Sequence, residues 1–297
     1  VVTRQAQIHR TLVSLLLGIP WVLSLTPTYV LADWPPLGKY EFSAWSGPKL
    51  NVYFSVPPQA NKHSAIVMIM PGAKRNAEEY RNEWDHLATA NGFISLVVEA
   101  SLEKFPSEYE YNLGGTINAA GKLQPEESWL LSALDLIFND FTARYGSERK
   151  NYSLYGHSAG GGFAHLYPLF KPDSKAVRIV AANPAFLTMP NYEQDFPFAL
   201  RNAPLPDSAL KKWLSQRLVI LLGDRDRDPR THPLSNGPQA QIQGPHVFAR
   251  SLGFYQAALC ESFAQDLPLN WQIEIVAGVG HSNAQMASHA VKYLVGE

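Results

Sequence analysis

The chain has 297 residues, 46% of them hydrophobic, a single cysteine and a formal net charge of −1. That is enough apolar material for a large core in one or two domains, and α/β folds of this length are often single. The near-neutral charge and scattered Lys and Arg give no basic patch for nucleic acid and no basic helix for a membrane surface, while a lone Cys260 excludes an intramolecular disulfide and a cysteine-based metal site.

The first 32 residues have the pattern of an export signal. Arg4, His9 and Arg10 form a basic start, residues 11–25 an apolar stretch interrupted by Gly18 and Pro20, and Val30-Leu31-Ala32 a small-residue cleavage pattern. Pro20 and the shortness of the apolar stretch argue against a permanent anchor. Residues 1–32 are therefore predicted to be a signal peptide and 33–297 the mature domain, in the periplasm or secreted. No stable membrane span is expected once the signal is removed.

Residues 39–45 and 49–56 read as two strands joined by Ser46-Gly47-Pro48, an antiparallel hairpin. Residues 64–70 (SAIVMIM) are a continuous apolar run of the kind buried on both faces of a sheet. After Pro71-Gly72-Ala73 a helix is expected, with Asn76 and Glu79 as a capping box and Tyr80, Trp84, Leu87 and Ala88 on one face. Residues 93–98 form another buried strand. Residues 101–124 make a long loop rich in Gly and Tyr, and 125–145 one long helix with Leu130, Ala133, Leu134, Ile137, Phe138 and Phe141 on its apolar face.

A strand at Tyr152, Leu154 and Tyr155 runs straight into a helix over 159–170, with Ser158 between them in Gly156-His157-Ser158-Ala159-Gly160. So abrupt a junction predicts a strained elbow with the serine at its apex, where a Cβ at Gly156 or Gly160 would collide. Residues 176–182 form a strand, 183–206 an irregular stretch, 207–214 a short helix and 218–222 a strand. Residues 224–245 read as an irregular loop, 246–263 as a helix and 271–276 as the last strand, with a closing helix to 295. Strands alternating with helices imply a mainly parallel sheet with helices on both faces. Ligands of such sheets bind beyond the carboxyl ends of the strands.

A serine hydroxyl needs a base to become a nucleophile, and the base an orienting acid. Ser158 is the candidate nucleophile. His281, in the Gly-rich turn after the last strand, is the candidate base; His232, His246 and His289 are less well placed. The acid comes from Gly223-Asp224-Arg225-Asp226-Arg227-Asp228. Asp226 is favoured because two residues lead into it after Gly223; Asp228 and Asp224 stay open, the two that are not the acid being expected to pair with Arg225, Arg227 or Arg230. The same run fails as a calcium loop, with Pro229 and Ser235 where Gly and Glu are needed. There is no H-E-x-x-H zinc motif. Two backbone N–H groups must receive the oxyanion, and those of Ala73 and Ala159 are the candidates.

The segments PGAKRN, GHSAGG, GDRDRD and GVGH, in that order, resemble the α/β-hydrolase superfamily over about residues 40–295. More narrowly, they are similar to secreted esterases of the polyhydroxybutyrate-depolymerase and feruloyl-esterase kind. The resemblance implies an α/β-hydrolase fold with an eight-stranded sheet, ester hydrolysis through an acyl-enzyme, no cofactor, and the roles above for Ser158, Asp226, His281, Ala73 and Ala159. Small-molecule or polymeric esters are the expected partners. The rival readings are a peptidase of the prolyl-oligopeptidase-like kind, a polyester depolymerase, and a non-catalytic binding protein on the same fold. Tyr109, Tyr111, Asn112 and Leu113 in the first long loop, and Phe186, Met189, Tyr192 and Phe196 in the second, either line an acyl or aromatic pocket or pack the loops down. Lys74 and Arg75 either attract a substrate carboxylate or are solvated.

Overall fold

The computed structural model describes residues 34–296; the predicted signal at 1–32 lies outside them. Among these residues eight strands form one sheet: β1 (Leu37–Phe42), β2 (Leu50–Ser55), β3 (Ile66–Met70), β4 (Ile94–Glu99), β5 (Tyr152–His157), β6 (Ala176–Ala182), β7 (Leu218–Gly223) and β8 (Trp271–Val276). Their order is β1-β2-β4-β3-β5-β6-β7-β8. β1 pairs antiparallel with β2, and β2 antiparallel with β4; every other pairing is parallel. The predicted hairpin is thus the antiparallel edge of an otherwise parallel sheet.

The apolar runs form central strands because both faces of the sheet are covered. Side chains alternate across a strand, so Ile66, Met68 and Met70 enter one core cluster while Val67 and Ile69 enter the other. The first cluster takes the apolar faces of α2 (Leu130–Tyr145), α3 (Ala159–Phe170), α4 (Ala209–Ser215) and α7 (Val247–Ala264). The second takes α1 (Ala77–Asn91) and α8 (Asn283–Leu294), with Trp84 and Met286 fully buried between them and the sheet. Each such large apolar side chain contributes about 1.5–3 kcal/mol on burial.

Three local expectations are corrected. The helix expected over 125–145 is broken: a 3₁₀ turn covers Glu126–Ser128, and α2 starts at Leu130. Trp129 between them is extended at φ −70° and ψ 134°, because its indole N–H donates back to the Gln124 carbonyl at 2.8 Å and its ring packs edge-on against Phe170. The capping box at Asn76 does not form. Asn76 is not in the extended conformation from which its side chain could cap, and its amide donates to the Glu79 carboxylate instead. The 224–245 stretch is not wholly irregular: it carries two short helices, α5 (Pro233–Asn236) and α6 (Pro238–Gln243), each begun by a proline at its first position.

The long segments after β4, β6 and β7 all leave the carboxyl end of the sheet. Glu108 accepts the Leu234 N–H at 2.8 Å, joining the first of these segments to the third. Gln243 donates to the carbonyls of Leu187 and Phe198, joining the third to the second. No helix among the described residues is long and apolar enough to cross a membrane.

Candidate active site

β5 ends at His157 and α3 begins at Ala159, so Ser158 alone makes the turn between them. It does so at φ 59° and ψ −116°, a conformation that costs a non-glycine residue on the order of 1–3 kcal/mol. The surroundings hold it there. Its N–H donates to Ala182, and its carbonyl accepts from both Gly162 and Ala185. The flanking glycines are required as expected: a Cβ on Gly156 would lie 1.9 Å from the Gly160 carbonyl oxygen, and one on Gly160 would lie 2.0 Å from that of Met70. The reward for this crowding is a partly exposed hydroxyl on a fixed platform.

His281 reaches Ser158 from the turn after β8. Its Nε2 lies 2.7 Å from Ser158 Oγ, and its Nδ1 lies 2.6 Å from Asp226 Oδ2. A buried carboxylate acceptor at Nδ1 keeps the proton there and turns the Nε2 lone pair toward the serine hydroxyl, the tautomer a general base needs. The three acidic candidates part company here. Asp226 is buried and meets His281. Asp224 accepts the Gly278 N–H at 2.7 Å and so ties down the turn that carries His281. Asp228 is exposed.

Two further residues belong to this arrangement and were not singled out by the sequence. Arg230, read there only as a partner for a spare aspartate, instead donates through Nη2 to Asp226 Oδ1, and that nitrogen lies 3.1 Å from His281 Nδ1. Its four-residue spacing from Asp226 was the available signal. Asn183, at φ 42°, accepts the Gly223 N–H at 2.8 Å and donates to the Gly280 carbonyl at 2.9 Å. One buried side chain therefore pins together the loops that carry the acid and the imidazole.

The turn after β3 faces the serine: a Cβ on Gly72 would lie 3.8 Å from Ser158 Oγ. Neither the Ala73 nor the Ala159 N–H has an acceptor among the described groups. Ala159 also opens α3, where the free N–H groups and the helix dipole favour negative charge. Behind the serine, His157 is hydrogen-bonded through Nδ1 to the Tyr80 hydroxyl at 2.9 Å. Burial first, then His281 and Arg230, hold its pKa well below the usual histidine value, so it stays neutral. Among the described residues no cluster of three or more His, Cys, Asp or Glu is placed to hold a metal ion.

These groups open into a cleft of about 590 Å³ whose lining mixes polar groups, including Lys74, Glu79, Glu108, Asn112, Arg230 and His232, with apolar ones, including Leu102, Pro106 and Ala185. Of the eight loop residues considered for an acyl pocket, only Asn112 lines it. Tyr111, Leu113 and Phe186 are buried in the core, Phe196 packs on Phe170, and Tyr192 is half exposed. The aromatic side chains anchor the loops because burying them in the core removes more apolar surface from water than an open cleft would. Lys74 and Arg75 also separate: Lys74 stands exposed on the cleft rim, whereas Arg75 turns inward and is 5% exposed.

No protein-family model and no curated protein matches the chain. Solved structures do. The chain is similar to poly(aspartic acid) hydrolase-1 from Sphingomonas sp. KT-1, with 35% identity, 89% of this chain and 99% of that one covered, and a TM-score of 0.84. It is similar to LpqC, the poly(3-hydroxybutyrate) depolymerase from Bordetella parapertussis, with 27% identity, 86% and 89% covered, and a TM-score of 0.79. A ferulic acid esterase shares the fold at 14% identity and a TM-score of 0.53, with 87% and 95% covered. The expected fold and the resemblance to hydrolases of this kind are both met, and the chain belongs to the α/β-hydrolase superfamily, as an enzyme of its esterase-type serine hydrolases.

Proposed function

We propose that the chain hydrolyses carboxylic esters with short acyl or aromatic groups through an acyl-enzyme on Ser158. The observation that carries the reading is the unbroken line from Ser158 Oγ to His281 Nε2 at 2.7 Å and from His281 Nδ1 to Asp226 Oδ2 at 2.6 Å. Ser158 Oγ attacks the ester carbonyl while its proton passes to His281 Nε2. Asp226 holds the imidazole and stabilises the imidazolium. The carbonyl electron pair moves onto oxygen and is received by the N–H groups of Ala73 and Ala159. The intermediate then collapses, the alcohol leaves with the proton from His281, and water repeats the sequence on the acyl-enzyme. No cofactor enters this scheme.

The substrate meets the enzyme outside the cytoplasm in this reading, with residues 1–32 directing export and the mature domain starting near Asp33. Purified mature protein is expected to turn over p-nitrophenyl acetate and butyrate. Ser158→Ala is expected to abolish that turnover with the fold retained, and unchanged turnover would remove Ser158 from the chemistry.

A second reading is favoured by a specific observation: the 35% identical relative is described as a poly(aspartic acid) hydrolase, and Lys74 and His232 stand around the cleft, with Glu79, Glu83 and Glu108 among them and Arg230 already paired with Asp226. Cleavage of amide bonds in an acidic polymer uses the same attack on a carbonyl. A panel of acetyl to palmitoyl esters, methyl ferulate, a polyhydroxybutyrate film and poly(aspartic acid) separates the readings. Shortening of poly(aspartic acid) faster than ester turnover would favour the second, film clearing would move the protein to the depolymerase side, and an ester optimum at about eight or more acyl carbons would contradict the first.

A further inference from the structure

The turn that faces Ser158 is held at nearly every backbone group. Pro71 has no N–H, and its carbonyl accepts the Tyr111 hydroxyl at 2.6 Å. The Gly72 N–H donates to the Tyr80 hydroxyl oxygen at 3.0 Å. The Gly72 carbonyl accepts the Arg75 N–H at 3.0 Å, and the Ala73 carbonyl accepts Arg75 Nη1 at 3.2 Å. Among these groups the Ala73 N–H is the one left to a ligand.

Arg75 makes its contacts from a left-handed backbone, φ 56°, which folds its side chain back over the turn it follows. The guanidinium carbon lies 3.4 Å from the centroid of the Tyr111 ring. The described arginine ion pairs belong to Arg81, Arg144, Arg201 and Arg230, and Arg75 Nε has no partner among the described atoms. A cation 5% exposed with no carboxylate in ion-pair contact is expensive to keep, and burial lowers its pKa even though the charges of Glu108 and Glu110 act on it from a longer range. The carbonyls of Ala73 and Gly72, at 3.2 and 3.4 Å from Nη1, and an aromatic face offset part of that cost. The nearest place where an anion arises during the proposed reaction is the oxygen held by the Ala73 N–H.

We propose that Arg75 is a positioning residue for the oxyanion: it aims the Ala73 N–H and places behind it a positive charge that no carboxylate contacts, with Tyr111 as its platform. The inference rests on the reading of Ser158 as nucleophile. It also gives the 24-residue loop of 101–124 a purpose, since Tyr111 carries the loop to the turn; the loop serves the transition state rather than acyl selection.

Phenylboronic acid tests this, because its boron accepts a serine oxygen to give a tetrahedral anion that mimics the intermediate. Its Ki is to be measured beside kcat and KM for p-nitrophenyl acetate in wild type, Ser158→Ala, Arg75→Met, Arg75→Lys and Tyr111→Phe, with thermal melting as the control for folding. Wild-type inhibition that is lost in Ser158→Ala establishes the reading underneath. Arg75→Met is then expected to lower kcat about ten- to a hundredfold and to raise the boronate Ki by a similar factor, with KM within about twofold. Arg75→Lys should recover part of both, and Tyr111→Phe should lose about three- to tenfold in both. Folded Arg75→Met with kcat and Ki near wild type overturns the proposal, as does a fall in kcat with Ki unchanged. If Arg75→Met does not fold, Tyr111→Phe decides: unchanged kcat and Ki overturn it. Wild-type protein that neither turns over ester nor binds boronate would remove the underlying reading and the proposal together.

Discussion

His165 offers a stability test that does not depend on catalysis. It sits in α3, fully buried, with its ring edge-on to Phe254. Its Nε2 accepts the Thr188 N–H at 2.9 Å, so the neutral ring carries its proton on Nδ1. Protonating Nε2 would set two donors against each other in a fully buried site. Burial accordingly pushes its pKa from 6.5 down to about 3. Between those values the unfolded chain binds a proton that the folded chain does not. The stability that neutral His165 carries is therefore complete above pH 6.5 and falls by about 1.4 kcal/mol for each pH unit below it. From pH 7.5 to 5.0 the loss comes to about 2 kcal/mol. His157 is shifted in the same direction and adds to the slope. Urea unfolding of the mature protein at both pH values, in wild type and His165→Gln, measures the effect. His165→Gln is expected to be less stable than wild type at pH 7.5, yet its loss on acidification should be smaller than wild type's by about 2 kcal/mol. Equal losses on acidification would refute the assignment of His165 as a buried neutral base.

Two other perturbations separate the roles around Ser158. Asp226→Asn is expected to lower kcat on p-nitrophenyl acetate by about 10³–10⁴ with little change in KM, because the imidazole loses its tautomer and its counter-charge, while Asp228→Asn stays within about twofold; the opposite pattern would move the acid to Asp228. Gly160→Ala would place a Cβ 2.0 Å from the Met70 carbonyl oxygen, a backbone atom that cannot rotate away, so the elbow must open. A loss of more than about 3 kcal/mol in thermal or denaturant unfolding is expected, together with loss of turnover, and a melting point near wild type would contradict the close-packed elbow.

The parts legible in the sequence were those fixed by local chemistry. Runs such as IVMIM in β3 and LVILLG in β7 are apolar at consecutive positions because both sheet faces are covered, and that pattern survives without tertiary knowledge. The elbow was legible because its steric demand admits only glycine at two fixed positions. What the sequence hid depended on where side chains turn. Trp129 breaks a helix because its indole finds a carbonyl five residues back. Tyr111 and Phe186 looked like pocket walls because composition does not tell an aromatic that faces a cleft from one that anchors a loop. Asn183 was missed because its partners, 40 and 97 residues away, meet it only when β6, β7 and β8 lie side by side, whereas the partner of Arg230 is four residues away in the same loop and could have been read from that spacing.

The lining of the cleft bears on which esters fit it. Each methylene of an acyl chain adds about 0.8 kcal/mol only where it leaves water for apolar surface. Here the apolar contributions, such as Leu102, Pro106 and Ala185, come from separate segments of the chain, among Lys74, Glu79, Glu83, Glu108 and Arg230. A long acyl chain laid across those groups would strip water from charges without replacing their hydrogen bonds, and that cost offsets the gain from each added carbon. A short acid component avoids it, because its carbonyl reaches the turn at Ala73 while little of it extends past the charged rim. The same reasoning admits a polymer of short acid units, in which every unit presents a carbonyl near the last and the remaining chain stays in water. On the proposed mechanism, selection is expected to act close to the scissile bond, and an ester panel in which turnover falls as the acyl chain lengthens would bear that out.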